Sequence, residues 1–220
     1  MKKKIRVKIC CIESLEEARL AIDYGADALG LVSAMPSGPG VIPDDLIGEI
    51  ASSIPPSVSS FLLTSKQDIK GIIEQQNRFK VNTIQICDRL INGTHKELKN
   101  ALPGTTIVQV IHVTGNEALN AAIKTPPEVD AILLDSGNQN LEVKKLGGTG
   151  SVHNWDISAD ICKSINKPVF LAGGLNPENV QSAIRKINPF GVDVCSGVRE
   201  NGKLSEEKLK AFFEAVNSIN

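Results

Sequence analysis

Two cysteines, Cys10 and Cys11, stand side by side in RVKICCIES (residues 6–14), where an apolar stretch stops. A thiol placed there can serve as a metal ligand, half of a disulfide, a small buried hydrophobe, or a base. The chain has five cysteines but no CxxC pair with distant Cys or His partners, so no metal site is expected. Neighbouring cysteines bridge only with backbone strain, which leaves two free thiols as the expectation. The second group with chemistry to offer is Asp135, which closes the run AILLD. A thiol whose pKa falls below the usual value of about 8.5 can remove a proton from carbon. A carboxyl partly withdrawn from water can supply one near neutrality. Lys8, two residues before Cys10, is the nearby cation that would lower the thiol. Each group also has a plainer reading, Cys10 as core filler and Asp135 as a loop cap.

Three glycine turns supply a possible anion site: LGGTG (residues 146–150), LAGGLNPENV (171–180) and CSGV (195–198). Glycine lets backbone N–H groups approach a ligand, and successive N–H groups form an anion-binding nest. The candidate phosphate or substrate contacts are Lys8, Gly148, Thr149, Gly150, Gly173, Gly174, Ser196 and Gly197, with the Ser196 hydroxyl as a further donor. Any one of these turns alone is an ordinary tight turn. Three of them in adjacent loops point to a phosphate.

Positioning such groups requires a repeating frame. Short β-branched runs begin near Ile5, Ala28, Val58, Thr83, Thr106, Ala131, Val169 and Gly191, with amphipathic stretches such as SLEEARLAIDYG and NPENVQSAIRKI between them. Ser14 with Glu17 reads as a capping box, Gly25 as the end of the first helix, and Asn176-Pro177 as a helix start. Eight strand–helix units share 220 residues, about 27 each. That predicts one α/β domain over residues 1–220, a (β/α)8 TIM barrel; a doubly wound sheet is the rival. Period-2 alternation sends Val7, Ile9, Ile84, Ile86, Ile132, Leu134, Val192 and Val194 outward. Lys8, Cys10, Thr83, Gln85, Cys87, Asp135, Asp193 and Cys195 then face in, and Cys11 points away into the first loop. Barrel active sites lie at the C-terminal strand ends, often with phosphate after strands seven and eight. Thiol, carboxyl and anion cradle at that end suit proton transfer on a phosphosugar.

The net charge of -1 gives no reason to expect nucleic acid or a membrane as partner. Lys2–Lys4 reads as a solvated tail, and Ile5, Val7 and Ile9 are too short a run for a signal peptide. A cytoplasmic location with reduced thiols is therefore expected. No face carries an extra apolar stripe, so no oligomeric state is assigned.

The segments VKIC (7–10), GADALGLV (25–32), LLDS (133–136), GGTG (147–150) followed by Trp155, LAGGLNPENV and GVDVCSGV (191–198) occur in an order that resembles the phosphoribosylanthranilate isomerase family of tryptophan biosynthesis. The resemblance implies a cofactor-free Amadori rearrangement with Cys10 as general base and Asp135 as general acid. It also exposes departures. Cys11 replaces a family glycine, Cys87-Asp88 replaces His-Gly, and His153-Asn154 replaces Phe-Asp. SAMPSGPGVIP (33–43) lacks the arginine that holds the anthranilate carboxylate in the family. Arg199 replaces a glutamate, and either it or Arg89 is a candidate substitute for that arginine; a solvated loop charge is the other reading of Arg199. Asn154 can still cap a helix, and His112 is either a further acid–base group or structural. A paralogue acting on another ribose 5-phosphate, or a phosphometabolite-binding barrel without turnover, are the alternatives.

Overall fold

The β-branched runs form the strands the alternation predicts. They are β1 (Arg6–Ile9), β2 (Ala28–Val32), β3 (Ser59–Thr64), β4 (Thr83–Ile86), β5 (Thr106–His112), β6 (Ala131–Asp135), β7 (Val169–Leu171) and β8 (Gly191–Val194). The computed structural model describes residues 4–148 and 150–219. All eight strands pair in parallel in chain order, and β1 closes on β8 through Lys8↔Asp193 and Ile9↔Val194. The result is a (β/α)8 barrel.

Around it run α1 (Leu15–Asp23), α2 (Asp44–Ser53), α3 (Ile69–Phe79), α4 (His95–Ala101), α5 (Glu117–Ile123), α6 (Trp155–Ser164), α7 (Val180–Ile187) and α8 (Glu206–Asn217). Outward residues Ile9, Leu29, Leu31, Ile84 and Val192 are buried with Ala21, Ile47, Ile72, Ile184 and Phe212 of the helices. Burying a side chain of this size contributes about 1.5–3 kcal/mol, so this layer carries much of the fold's stability. The inward set, Cys10, Phe61, Leu63, Cys87, Val110, Leu133 and Phe170, forms a separate cluster inside the barrel.

Local signals held with some changes. Ser14 accepts from Glu17 N–H, but the Glu17 carboxylate accepts from Glu13 N–H rather than Ser14, so only half of the capping box forms. Gly25 follows α1 at φ +99°, the conformation a helix stop requires. The Asn176 side chain caps a turn, accepting from the N–H groups of Glu178 and Asn179, and α7 begins only at Val180. Asn154 caps α6 through Asp156 N–H. Lys4 is not merely a solvated tail residue, because its ammonium lies 3.0 Å from Asp27; Lys2 and Lys3 lie outside the described residues. A 3-10 turn (Ser196–Val198) and a small antiparallel pair, β9 (Arg199–Glu200) with β10 (Lys203–Leu204), follow β8. Neither was legible in the period-2 pattern, which such short pieces cannot establish.

Candidate active site

A cavity opens at the C-terminal ends of the strands, with about 690 Å³ of empty space when the solvent-filled mouth is included. Its floor and walls come from strand ends: Cys10, Leu63, Gln85, Cys87, Leu133, Asp135, Asp193 and Cys195. Barrel geometry makes this convergence unavoidable, because alternate residues of neighbouring strands point to one axis.

The Cys10 sulfur lies deep in the barrel mouth. An added Cβ at Gly30 on β2 would come within 2.9 Å of it and 3.0 Å of Lys8 Nζ, so that glycine leaves the space both occupy. Lys8 does not line the cavity; it is fully buried beneath it, with Nζ 2.9 Å from Asp193 Oδ1. Burial alone would push Lys8 toward neutrality, but the charge of and hydrogen bond to Asp193 outweigh it and hold the ammonium above its ordinary range. The Cys10 thiol is lowered chiefly by a hydrogen bond from Cys11, against burial, with Lys8 helping and Asp193 opposing. Asp135 moves the other way, pushed up to about 6 by burial, although Ser136 donates to it from its N–H and hydroxyl. One group is thereby eased toward accepting a proton and the other toward giving one.

The glycine loops meet over this floor. Gly147, Gly148, Gly150, Gly173, Gly174, Leu175 and Ser196 all line the cavity. A Cβ on Gly150 would sit 3.6 Å from Ser196 Oγ, which puts the loops after β6 and β8 in touch. Gly174 (φ +62°) passes so close to the loop after β6 that a Cβ would stand 2.7 Å from the Ser151 carbonyl carbon. Gly197 is not among the lining residues; it packs on the Leu175 carbonyl, where any Cβ would clash at 1.9 Å. Thr149 lies outside the described residues. Among the described lining residues there are two carboxylates and no Lys, Arg or His.

Two expectations are corrected. Cys11 does not point away into the first loop: its buried side chain lines the same cavity, 3.8 Å from the Cys10 sulfur. Its φ of +61° turns the side chain back over the barrel, a backbone state that period-2 reasoning does not foresee. Arg199 does not reach the cavity. Its guanidinium is 2.8 Å from Glu17 and also donates to the carbonyls of Cys11 and Gly202. With its side chain only 7% exposed, it is neither a solvated loop charge nor open to a substrate carboxylate. Arg199→Ala strands Glu17 and frees the Cys11 backbone; we expect a loss of about 2–4 kcal/mol in stability, read as a lower Tm. An unchanged Tm would contradict this role. Arg89 is exposed and lines a different depression.

Other departures have structural partners. Asp88, almost fully buried, pairs with Lys144 and so ties the loop after β6 to the end of β4. His112 bonds the Cys87 carbonyl at 3.1 Å through Nε2, and burial holds it below its usual pKa. His153 bonds Ser158 at 2.7 Å, with burial pushing it down to about 4. The second loop forms a wall through residues that strand alternation does not single out: Met35, Ser37, Gly38 and Pro39 line the cavity, and Ser37 donates to the Lys144 carbonyl. The glycines in SGPG were the available signal.

Residues 7–215 match the family model of N-(5'-phosphoribosyl)anthranilate (PRA) isomerase. The chain is 35% identical to "N-(5'-phosphoribosyl)anthranilate isomerase 2" of Methanosarcina mazei, covering 97% of this chain and 95% of that protein. It is 34% identical to the enzyme of that name from Moorella thermoacetica, covering 96% and 89%. Phosphoribosyl anthranilate isomerase of Thermus thermophilus superposes with a TM-score of 0.81 at 26% identity, covering 98% and 100%. An isomerase of the same name, solved with reduced 1-(o-carboxyphenylamino)-1-deoxyribulose 5-phosphate, gives 0.78 at 26%, covering 97% and 99%. No helix among the described residues is long and apolar enough to cross a membrane. With its matches in sequence and fold running nearly end to end, the chain belongs to the N-(5'-phosphoribosyl)anthranilate isomerase family.

Proposed function

We propose that this barrel, acting as one domain in the cytoplasm, converts N-(5'-phosphoribosyl)anthranilate to the 1-deoxyribulose 5-phosphate product in tryptophan biosynthesis, with Cys10 as base and Asp135 as acid. The observation that carries the assignment is the meeting of both groups on one cavity roofed by three glycine loops. The phosphate docks on the N–H groups of Gly148, Gly150, Gly173 and Gly174 and on Ser196, with Thr149 and Gly197 in the same loops. Lys8 acts from below, as part of an ion pair.

Asp135, kept partly protonated by burial, gives its proton to the furanose ring oxygen, and the ring opens to a Schiff base. The Cys10 thiolate then takes the C2' proton; the enolamine so formed tautomerises to the ketose. No step calls for a metal or cofactor. A wall without cations suits the aryl ring, with Met35, Pro39 and Leu146 as apolar surface.

The test follows the fluorescence of phosphoribosylanthranilate during its consumption. Wild-type protein should consume it, and Cys10→Ser should lose roughly 10²- to 10⁴-fold in kcat. If the wild type leaves the substrate untouched while binding a pentose 5-phosphate, the reading passes to another ribose 5-phosphate or to a binding protein.

A further inference from the structure

We propose that Cys11 is a positioning residue for the reaction, donating its S–H to the Cys10 sulfur and holding that sulfur as the thiolate base. This deepens the assignment of Cys10 and rests on it. The two sulfurs are 3.8 Å apart and both side chains are buried. The pair is held there by the backbone: Cys11 adopts φ +61°, the left-handed region, which a residue with a Cβ enters only against strain. Arg199, anchored on Glu17, donates to the Cys11 carbonyl and fixes that conformation.

The second loop accommodates the side chain. Gly40, at φ +79°, lies where any Cβ would stand 2.4 Å from Cys11 Cβ. Glycine would be the comfortable residue at position 11; instead the open position has shifted to residue 40, and a thiol fills the space beside the base. A strained side chain facing a reactive one is an arrangement that local packing alone does not favour.

The Cys11 proton has three acceptors in reach, Cys10 Sγ, the Pro39 carbonyl at 3.7 Å and the Cys195 sulfur. A hydrogen bond to an ionised acceptor is roughly twice as strong as one to a neutral acceptor. The proton therefore turns to Cys10 when Cys10 is ionised, and is released to Pro39 or Cys195 when it is not. The other groups around Cys10 do not replace this contribution. Lys8 on β1 favours the thiolate, while Asp193 on β8, its own partner, opposes it. Cys87 beyond β4 is held neutral by burial, Asp135 at the end of β6 is partly protonated, and Cys195 sits against Cys11. Consistent with this geometry, the Cys11 thiol is raised while that of Cys10 is lowered, each first by the bond between them.

The experiment compares wild type, Cys11→Gly and Cys11→Ser. Alkylation of Cys10 by iodoacetamide is followed against pH, with the site assigned by fragment-ion mass spectrometry, so that the readout needs no turnover. We expect the midpoint in Cys11→Gly to rise by about one pH unit, a tenfold loss of thiolate below it. Cys11→Ser, with a hydroxyl donor at the same place, should return most of the way. In turnover near pH 6.5 the glycine variant should lose severalfold in kcat with little change in KM, part of the thiolate loss being offset by greater basicity. A Cys11→Gly midpoint equal to that of wild type overturns the proposal. So does an equal change in folding stability for both variants without a midpoint shift, since Cys11 would then only prop the loop. If Cys10→Ser still turns over phosphoribosylanthranilate, the catalytic assignment fails, while the labelling continues to report on the Cys11 bond separately.

Discussion

Asp135→Asn should abolish turnover and at the same time make the barrel harder to melt at neutral pH. The loss follows from chemistry: an amide cannot protonate the ring oxygen, so kcat should drop by roughly 10²- to 10⁴-fold. The gain in stability follows from linkage. The Asp135 carboxyl titrates at about 6 in the folded protein against 3.8 for the free side chain, because burial and the Asp193 charge outweigh Lys8 and the Ser136 donors. A raised carboxylate pKa means that the folded state binds the extra proton, so stability falls as pH rises from about 4 to 6. Above that window the full cost is present, about 3 kcal/mol at 1.36 kcal/mol per pH unit. Asparagine carries no charge and its carbonyl can still accept from Ser136, although the new NH2 must find an acceptor. The net gain at pH 7.5 should be about 1–2 kcal/mol, raising Tm by roughly 3–6 °C for a chain of this size. At pH 4 the two proteins should melt together. Equal melting temperatures at pH 7.5 would mean that the carboxylate is not strained by burial, and its role as the acid would lose its physical basis.

How much of this was legible in the chain differs from residue to residue. Strand positions were read closely because barrel strands alternate: Cys10, Gln85, Cys87 and Asp135 were placed on the inner face from period 2 alone, and all line the cavity. The glycine loops were legible because a backbone approach closer than a Cβ allows leaves few residue choices, as at Gly174 and Gly197. What escaped was non-local. Cys11 sits two residues beyond the end of β1, where strand alternation no longer holds, and a left-handed backbone held by Arg199 reverses its direction. Arg199 looked like a replacement for a missing cation because the family pattern loses an arginine in the second loop and gains one here. Its partner Glu17 is 182 positions away, beyond the reach of any local pattern. Asp88 met Lys144 in the same way, across 56 positions. The departures from the family pattern at residues 11, 88 and 199 thus share one character: each new side chain engages another element of the fold. None supplies a cation to the described cavity wall, so none takes the place of the second-loop arginine that the family resemblance implies.

Lys8→Met should be the most damaging single change to the fold, and its damage should be reversible by a second substitution. Lys8 is completely buried, its ammonium 2.9 Å from Asp193 and 5.3 Å from the centre of the Phe61 ring. Methionine keeps the apolar stem but leaves the Asp193 carboxylate, itself 7% exposed, without a counter-ion inside the barrel. Breaking a buried pair from one side costs about 3–5 kcal/mol, far more than the intact pair contributes. The cost has a pH signature. Burial already raises Asp193 above the ordinary carboxylate value, and without Lys8 it rises further. The variant should approach wild-type stability in acid, where Asp193 is neutral, and lose it as pH climbs through that higher value. Activity should fall as well: the unpaired carboxylate opposes ionisation of Cys10, since Lys8 no longer offsets it. Lys8→Met with Asp193→Leu removes both charges. That double variant should recover most of the lost Tm and much of the Cys10 reactivity, because the two charges act in opposite senses on the thiol. The resulting coupling between sites, about 2–3 kcal/mol in a double-mutant cycle, is the measurable quantity. If Lys8→Met melts with wild type at pH 7.5, or the double variant is no better than the single, then the ion pair under the cavity floor does not hold the base, and the electrostatics of the site must be assigned to the loops above it.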